Sequence, residues 1–467
     1  MVFSSLVFLY AFLPLVLLVY YLVPRRFRNL VLLVFSLLFY GWGEPVYVLL
    51  MVASFSSAYA FGFWIVKYRA ENPHRARFWT ILSVSVSLLF LFFFKYYDFT
   101  AATLSRLPFW NIPLLGLRLP IGISFYTFQI LSYTIDLYRG NAELQRNYAS
   151  FGTYVSLFPQ LIAGPIVRYR EIAAEIEGRS EKLSDFAAGV ERFCVGLGKK
   201  VLLGDSLAAG HLYFRASFAL SPSALGAWGQ VVFYALHLYF DFSGYSDMAI
   251  GLGRMFGFHF PENFNYPYIA TSISDFWRRW HITLSSWFRE YVYIPLGGNR
   301  RGKPAQFRNL FIVWLLTGLW HGANWNFVLW GLYFLILLLI EHFLLKEVLE
   351  KLPLLLRRFL TVFAVFLGFL LFSEQNLAVV WQTLGALFGA NCALGDAPDF
   401  YHWKIYFPLL SVAALCATPL PKRLFHALLR RREKLGFLRP VFCGLVLLFA
   451  TAFLVAHAYS PFEYFQF

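Results

Sequence analysis

The sequence predicts an all-α integral membrane protein. Of its 467 residues, 59% are hydrophobic and only 14% are charged, whereas a soluble domain carries about 25% charged residues. The apolar residues form runs of about 20, the length that an α-helix needs to cross the hydrocarbon core. Short basic clusters separate these runs, as expected for cytoplasmic loops. Because no Ser/Gly/Pro-rich linker divides the pattern, we expect a single transmembrane domain over residues 1–467.

Several other functional classes are excluded by composition and motifs. The formal net charge of +15 does not indicate nucleic-acid binding, because the basic residues lie between apolar runs, where membrane topology explains them. Four scattered cysteines without a CxxC pair predict neither a zinc site nor a disulfide framework. The P-loop, zincin and nucleophile-elbow motifs are absent. We expect no metal and no bound cofactor.

The N-terminal runs predict helices that alternate in direction. Residues 3–23 are longer than a signal-peptide core and lack a small-residue cleavage site, so they predict a first transmembrane helix. Basic loops at 25–28 and 67–77 are expected in the cytoplasm, which places the N-terminus outside. A turn at 41–45 and an outward run at 78–95 complete this pattern.

The next part of the chain is less regular. Prolines and glycines interrupt residues 107–140 and 158–165, which predicts re-entrant or broken helices that are buried or line a wet cavity. Residues 168–185 predict an amphipathic surface helix. Apolar runs resume at 186–220 and 228–256.

Two carboxylates, Asp241 and Asp247, lie within the run 228–256. Because charge at membrane depth is costly, such groups need partners or mark a function. We favour structural pairing with nearby arginines.

The segment from 271 to 345 departs most from simple spans. Residues 271–297 carry too many charges for a lipid-facing helix, so we expect interfacial or internal helices with arginine–carboxylate pairs. As one helix, residues 309–345 would extend about 55 Å against about 30 Å of hydrocarbon, which predicts a break or strong tilt near 322–326. Gly318 and Gly322 form a GxxxG pair that permits close helix approach.

The C-terminal part continues the membrane pattern. Apolar runs at 359–373, 377–390 and 404–420 precede a cytoplasmic basic cluster at 422–439, and the run 440–458 crosses outward. The total is about eleven spans, with the C-terminus outside. No internal repeat is visible, which gives little support to an inverted-repeat transporter.

Two histidines, His281 and His321, lie in tryptophan-rich apolar sequence. A histidine in such a run is commonly a hydrogen-bonded core residue, but an ionisable group at membrane depth is a functional candidate. A neutral imidazole is the usual general base, and burial keeps it neutral. Trp320 and Trp325 are candidate walls of a channel that positions an apolar or thioester-bearing donor.

Six stretches, taken together and in this order, resemble one protein family. They are PIGISFYTFQI (120–130), FPQLIAGPIV (158–167), DFSGYSDMAIGL (241–252), FNYPYI (264–269), DFWRRWHITLSSWFREYVYIPLGGNRRGK (275–303) and LTGLWHGANWN (316–326). The chain resembles the membrane-bound O-acyltransferase (MBOAT) family. Within it, the chain is similar to the bacterial alginate O-acetyltransferase branch, which is related to peptidoglycan O-acetyltransferase subunits and the teichoic-acid D-alanyl transfer protein.

The resemblance implies a helical bundle that encloses a tunnel, with a catalytic core over residues 110–345. It implies that His321 is the catalytic histidine and His281 the second active-site position. An acyl donor, acetyl-coenzyme A or a similar thioester, would enter from the cytoplasm and the acceptor from outside. The tunnel and donor-binding candidates are Trp320, Asn324, Trp325, Arg278, Arg279, Arg300 and Arg301. The basic loop with Lys303 would attract the donor's phosphates, or would serve only as a positive-inside loop.

The last residues, 460–467, resemble a C-terminal motif of this branch in which a tyrosine is implicated as an acyl carrier. Phe462, Tyr464 and Phe467 are the matching positions. The alternative is an aromatic anchor at the membrane interface.

The resulting hypothesis is an enzyme of the bacterial cytoplasmic membrane that moves an acetyl group for O-acetylation of an extracytoplasmic polysaccharide, together with a separate acetyltransferase partner. Alginate, peptidoglycan, cellulose and other exopolysaccharides remain open. The alternatives are a transporter or flippase for a lipid-linked glycan, and an MBOAT enzyme with a lipid acceptor.

Overall fold

The computed structural model describes residues 1–431 and 433–456, and every regular element in that part of the chain is helical. No β-strand occurs within those residues, so the predicted all-α class is confirmed. The C-terminal motif at 460–467, with Tyr464, lies outside the described residues.

Most of the α-helices are joined by short connections. In the N-terminal half they are α1 (Leu13–Leu22), α2 (Arg28–Gly41), α3 (Tyr47–Glu71), α4 (Pro73–Leu91), α5 (Tyr97–Leu104), α6 (Ile123–Arg139), α7 (Tyr148–Ser156), α8 (Phe158–Leu161), α9 (Tyr169–Gly178), α10 (Leu183–Leu197), α11 (Asp205–Leu220) and α12 (Ala224–Met255). In the C-terminal half they are α13 (Ile273–Trp277), α14 (Ile282–Phe288), α15 (Gly302–His321), α16 (Trp325–Ile340), α17 (Lys346–Lys351), α18 (Leu354–Ser373), α19 (Leu377–Leu387), α20 (Ala397–Cys416), α21 (Leu420–Arg431) and α22 (Leu438–Ala456).

Several helices are long and apolar enough to cross a membrane. Within the described residues these are Tyr47–Glu71, Pro73–Leu104, Trp325–Lys351, Leu354–Ser373 and Leu435–Ala456. Helices Ala397–Cys416 and Leu420–Arg430 meet the same criterion together, with a bend of 66° between them. These helices indicate a multi-pass membrane protein. The count of about eleven spans is not reached by this criterion and stays a prediction.

The predicted interruptions occur where the sequence places them. The first helix is shorter than predicted. A continuous helix covers Phe8–Leu22, whereas the prediction was residues 3–23. The turn after α2 is present, since α2 ends at Gly41 and α3 begins at Tyr47. Residues 105–122 contain no helix, and most side chains of 105–119 are exposed, so this part is a surface loop and not the buried broken or re-entrant helix that was predicted.

The described chain divides into two compact units, Met1–Phe193 with Tyr245–Pro261 and Cys194–Gly244 with Glu262–Phe467. In the first unit, the phenylalanine rings of Phe12 and Phe39 pack against Phe158 at 5.5 and 5.4 Å between centroids. The second unit is built around buried tryptophans, among them Trp277 and Trp330. The single-domain interpretation stays a prediction.

The two carboxylates of α12 are paired. In the first unit, Arg192 Nη2 lies 2.6 Å from Asp247 Oδ1, which confirms the predicted arginine partner. In the second unit, Lys200 Nζ lies 3.0 Å from Asp241 Oδ1 and 2.5 Å from Asp205 Oδ1. The partner of Asp241 in this cluster is therefore a lysine, not the expected arginine, because the π-helical segment Gly198–Gly204 brings Lys200 beside α12.

Candidate active site

The break near residues 322–326 is a reversal of the chain. Helix α15 ends at His321, and α16 begins at Trp325. The two helices then run back along each other: a Cβ added to Gly318 would lie 2.4 Å from the backbone oxygen of Phe327, and one added to Gly331 would lie 2.4 Å from that of Trp314. Glycines thus allow the backbones to touch, and the structure is a helical hairpin rather than a tilted or kinked helix.

His321 lies at the tip of this hairpin. Its side chain is buried, at 4% exposure. Three aromatic rings surround the imidazole edge-to-face, with centroid distances of 5.0 Å to Trp320, 4.8 Å to Trp330 and 5.3 Å to Phe372. This apolar lining excludes water from the histidine, and low dielectric strengthens any electrostatic interaction made there.

His281 lies between two short helices, α13 and α14, and is fully buried. Its ring centroid is 4.8 Å from that of Phe242 and 5.8 Å from that of Trp320. Trp320 therefore contacts both imidazoles. The structure brings together the two histidines that the sequence separates by 40 positions.

Asn263 is the hydrogen-bond partner of His281. The imidazole Nδ1 lies 3.1 Å from the Oδ1 of Asn263, which also accepts from the backbone and the hydroxyl of Thr283. Burial lowers the pKa of His281 to about 3, so this imidazole is neutral at physiological pH. His281 has the protonation state that the sequence analysis expects.

The hairpin tip is tied to α18 by Asn326. This residue is fully buried, and its Nδ2 donates to the backbone oxygens of Leu371 and Phe372 at 3.3 and 3.4 Å. Because Phe372 contacts His321, Asn326 fixes one wall of the histidine's surroundings. The indole Nε1–H of Trp330 is also buried, and within the described residues it has no hydrogen-bond partner.

The remaining tunnel candidates are less central. Asn324 occupies the N-cap position of α16, and its side chain makes no capping hydrogen bond. Trp325 is 42% exposed, so its side chain is only partly buried. Among the seven tunnel candidates, Trp320 contacts both histidines.

The candidate arginines occupy two environments. Arg279 donates to Asp275 at 2.9 Å, which is the predicted arginine–carboxylate pairing. Arg278 is exposed, as are Arg300 and Arg301 in the loop that precedes α15. These exposed guanidinium groups lie outside the buried histidine site and are accessible to a charged ligand.

Sequence reasoning missed the contributions of Phe242, Asn263, Trp330 and Phe372. Asn263 precedes the FNYPYI motif by one position, and Phe242 lies inside the DFSGYSDMAIGL motif. Their motifs were thus recognised, but no periodicity or spacing relates either residue to His281. Their role depends on tertiary contacts.

Comparisons with known proteins identify the family of this chain. The profile of the MBOAT, membrane-bound O-acyltransferase family, matches residues 145–380. A probable alginate O-acetylase AlgI from Azotobacter vinelandii is 45% identical over 83% of this chain and 78% of its own length. A protein of the same name from Pseudomonas putida is 40% identical over the full length of both chains.

A more distant relative extends the comparison to another polymer. The peptidoglycan O-acetyltransferase of Helicobacter pylori is 32% identical over 100% of this chain and 98% of its own length. The family profile covers both histidines and the hairpin between α15 and α16. The chain therefore belongs to the membrane-bound O-acyltransferase family.

Proposed function

We propose that this protein transfers an acetyl group from a cytoplasmic thioester donor, across the membrane, for O-acetylation of an extracytoplasmic polysaccharide. The observation that carries the proposal is the pair of buried histidines on either side of Trp320. Full-length similarity to probable alginate O-acetylases and to a peptidoglycan O-acetyltransferase supports the polysaccharide acceptor.

His321 acts as the general base. Its imidazole takes the proton of the attacking hydroxyl while the new carbon–oxygen bond forms at the acyl carbon. The carbon–sulfur bond then breaks, and the departing thiolate receives the proton, so the reaction needs no other proton source. The aromatic lining protects the thioester from water. His281, Asn324 and Trp320 line the place where donor and acceptor meet.

The position of His321 along α15 suits a meeting point inside the membrane. Thirteen residues separate Arg308 from His321 in this helix, which is about 20 Å at 1.5 Å per residue. With the basic loop at 297–303 in the cytoplasm, a donor whose phosphates contact Arg300 and Arg301 extends its thioester arm toward the hairpin tip. The alternative is that Arg300 and Arg301 serve only to orient the protein in the membrane.

The acetyl group leaves on the outer side. We propose that the Tyr464 hydroxyl is the group that attacks the thioester, approaching from the outer side, and that a separate extracytoplasmic acetyltransferase then transfers the acetyl group from Tyr464 to the polymer. The bacterial cytoplasmic membrane and outward-facing termini are parts of the same proposal. If Tyr464 is only an aromatic anchor, the hydroxyl that attacks the thioester belongs to a sugar or to the partner protein.

Mass spectrometry of the purified protein tests these steps. Wild type, His321→Ala and Tyr464→Phe are incubated with isotopically labelled acetyl-coenzyme A, and intact protein and peptides are analysed. We expect a labelled acetyl adduct on Tyr464 that His321→Ala abolishes. His402→Ala, a histidine of the same unit whose ring stacks on Tyr213, is the matched control and should retain the adduct.

Other outcomes separate the alternatives. Donor hydrolysis without an adduct makes Tyr464 an anchor and favours direct transfer. An absence of both adduct and hydrolysis favours the glycan-transporter alternative, and labelled lipid favours a lipid acceptor. Full polymer acetylation by His321→Ala in cells would reject the catalytic assignment.

A further inference from the structure

Asn263 makes an unusual number of hydrogen bonds to one short segment. Its backbone oxygen accepts from the amide of Ile282 at 3.0 Å. Its side-chain Oδ1 accepts from the amide of Thr283 at 3.3 Å and from the hydroxyl of Thr283 at 2.8 Å, and lies 3.1 Å from His281 Nδ1. Asn263, His281 and Thr283 are buried. One asparagine thus holds the main chain and the imidazole of the second histidine.

These contacts fix which imidazole nitrogen carries the proton. A backbone N–H can only donate, so the atom of Asn263 that faces the amide of Thr283 is the oxygen and not the amide nitrogen. The same oxygen faces His281 Nδ1, which must therefore donate. In a neutral imidazole the other nitrogen, Nε2, then has a lone pair and no hydrogen.

The backbone of His281 adds a second, independent observation. Its φ of 44° and ψ of 53° lie in the left-handed region, which is strained for a non-glycine residue. Strain of this kind persists where surrounding contacts over-determine it, and it clusters at functional sites. Here the hydrogen bonds from Ile282 and Thr283 to Asn263 hold the two residues that directly follow His281.

We propose that Asn263 is a positioning residue for the acyl transfer: it holds His281 in the Nδ1–H tautomer, so that Nε2 accepts a hydrogen bond from the bound donor or acceptor. This inference rests on the proposed function and refines the role of one of its residues. A neutral Nε2 without hydrogen cannot donate to the negative charge that develops on the acyl oxygen. His281 therefore orients a substrate N–H or O–H group, and the oxyanion is stabilised by another group.

The tautomer is measured directly. Protein labelled with ¹⁵N-histidine is reconstituted in lipid bilayers, and the His281 signals are assigned from the difference spectrum with His281→Gln. In wild type we expect a protonated Nδ1 and an unprotonated Nε2. Asn263→Ala should give a mixture of tautomers, and Asn263→Asp, which keeps the acceptor oxygen, should restore the protonated Nδ1. An Nε2–H tautomer in wild type would overturn the proposal.

Kinetics supply the second readout. Asn263→Ala should lower kcat for acetyl transfer at least tenfold, and Asn263→Asp should recover part of that loss. The control variant Ser223→Ala removes a buried hydroxyl elsewhere in the same unit, one that bonds Asp399 and the amide of Gly226.

The control decides between positioning and simple support of the fold. If Ser223→Ala keeps the wild-type tautomer and the wild-type kcat while Asn263→Ala loses them, Asn263 acts through His281. If Asn263→Ala keeps the wild-type kcat while His321→Ala is inactive, the positioning role is wrong and the proposed function stands. If His321→Ala is fully active, the proposed function fails, whatever the tautomer of His281.

Discussion

The two histidines contact the same indole but are held differently. His321 ends a long helix and is surrounded by aromatic rings, whereas His281 is held by a hydrogen bond inside a strained turn. A base that must exchange a proton needs access to both of its protonation states. The rigid, strongly desolvated imidazole of His281 is poorly suited to that task, which favours His321 as the base.

The pH dependence of stability tests how His281 is buried. Its pKa is about 3 in the folded protein and about 6.5 in an unfolded chain. Between these values the unfolded chain binds a proton that the folded protein does not, so stability is fully present above pH 6.5 and is lost as the pH falls toward 3. At pH 5, the contribution lost is about 2 kcal/mol relative to pH 8.

Thermal unfolding in detergent at pH 8 and pH 5 measures this effect. His281→Asn removes the titrating group, so the difference in unfolding temperature between the two pH values should be smaller in the variant than in wild type. Equal pH dependence in both proteins would mean that His281 is accessible to water and protons in the folded state.

At the scale of elements, the hairpin of α15 and α16 shows what sequence can and cannot predict. The break was predictable, because residues 309–345 are too long for one span and Gly322 and Asn324 are poor helix continuers. The reversal was not predictable, because it depends on contacts of Gly318 and Gly331 with backbone oxygens of the opposite helix. A GxxxG pair indicates that another helix approaches closely, but it does not identify which helix that is.

The same limit applies to the site. The sequence predicted His281 and His321 because histidine is rare and costly in apolar runs. Asn263 lacks such a signal, since asparagine is common in loops and no single helix or strand contains both Asn263 and His281. The left-handed backbone of His281 also has no local signature, because tertiary hydrogen bonds impose it.

A glycine substitution tests the hairpin. Gly318→Ala would place a Cβ 2.4 Å from the backbone oxygen of Phe327, so the two helices must separate. We expect a loss of stability of about 1–3 kcal/mol and a fall in acetyl transfer, because His321 lies three residues further along α15. Gly444→Ala is the control, since nothing lies within 4 Å of its added Cβ in helix α22.

Thermal unfolding and acetyl transfer are measured on both glycine variants. Gly444→Ala should be neutral or slightly stabilising, because alanine favours a helix by up to about 1 kcal/mol over glycine. Equal behaviour of the two variants would show that the close approach of α15 and α16 contributes little to stability or to the position of His321.

At the scale of the whole molecule, the net charge of +15 has two explanations. Basic residues on cytoplasmic loops set the orientation of a membrane protein. They also raise the local concentration of an anionic ligand such as coenzyme A. The loop before α15 and the amphipathic helix α21 both carry exposed basic residues, but only the loop leads into the helix that ends at His321.

A donor without phosphates separates the two explanations. The double variant Arg300→Gln/Arg301→Gln is compared with wild type. Both proteins are assayed with two donors, acetyl-coenzyme A and S-acetylpantetheine. At about 0.3–0.7 kcal/mol for each exposed charge, KM for acetyl-coenzyme A should rise about 3- to 10-fold, and KM for S-acetylpantetheine should not change. Added salt should raise KM for acetyl-coenzyme A in wild type more than in the variant, because screening weakens only the charges that remain.

The control variant Lys422→Gln/Arg423→Gln in α21 removes the same charge elsewhere and should leave both KM values unchanged. An equal effect on both donors, or an equal effect of the two double variants on acetyl-coenzyme A, would assign the loop to membrane topology alone.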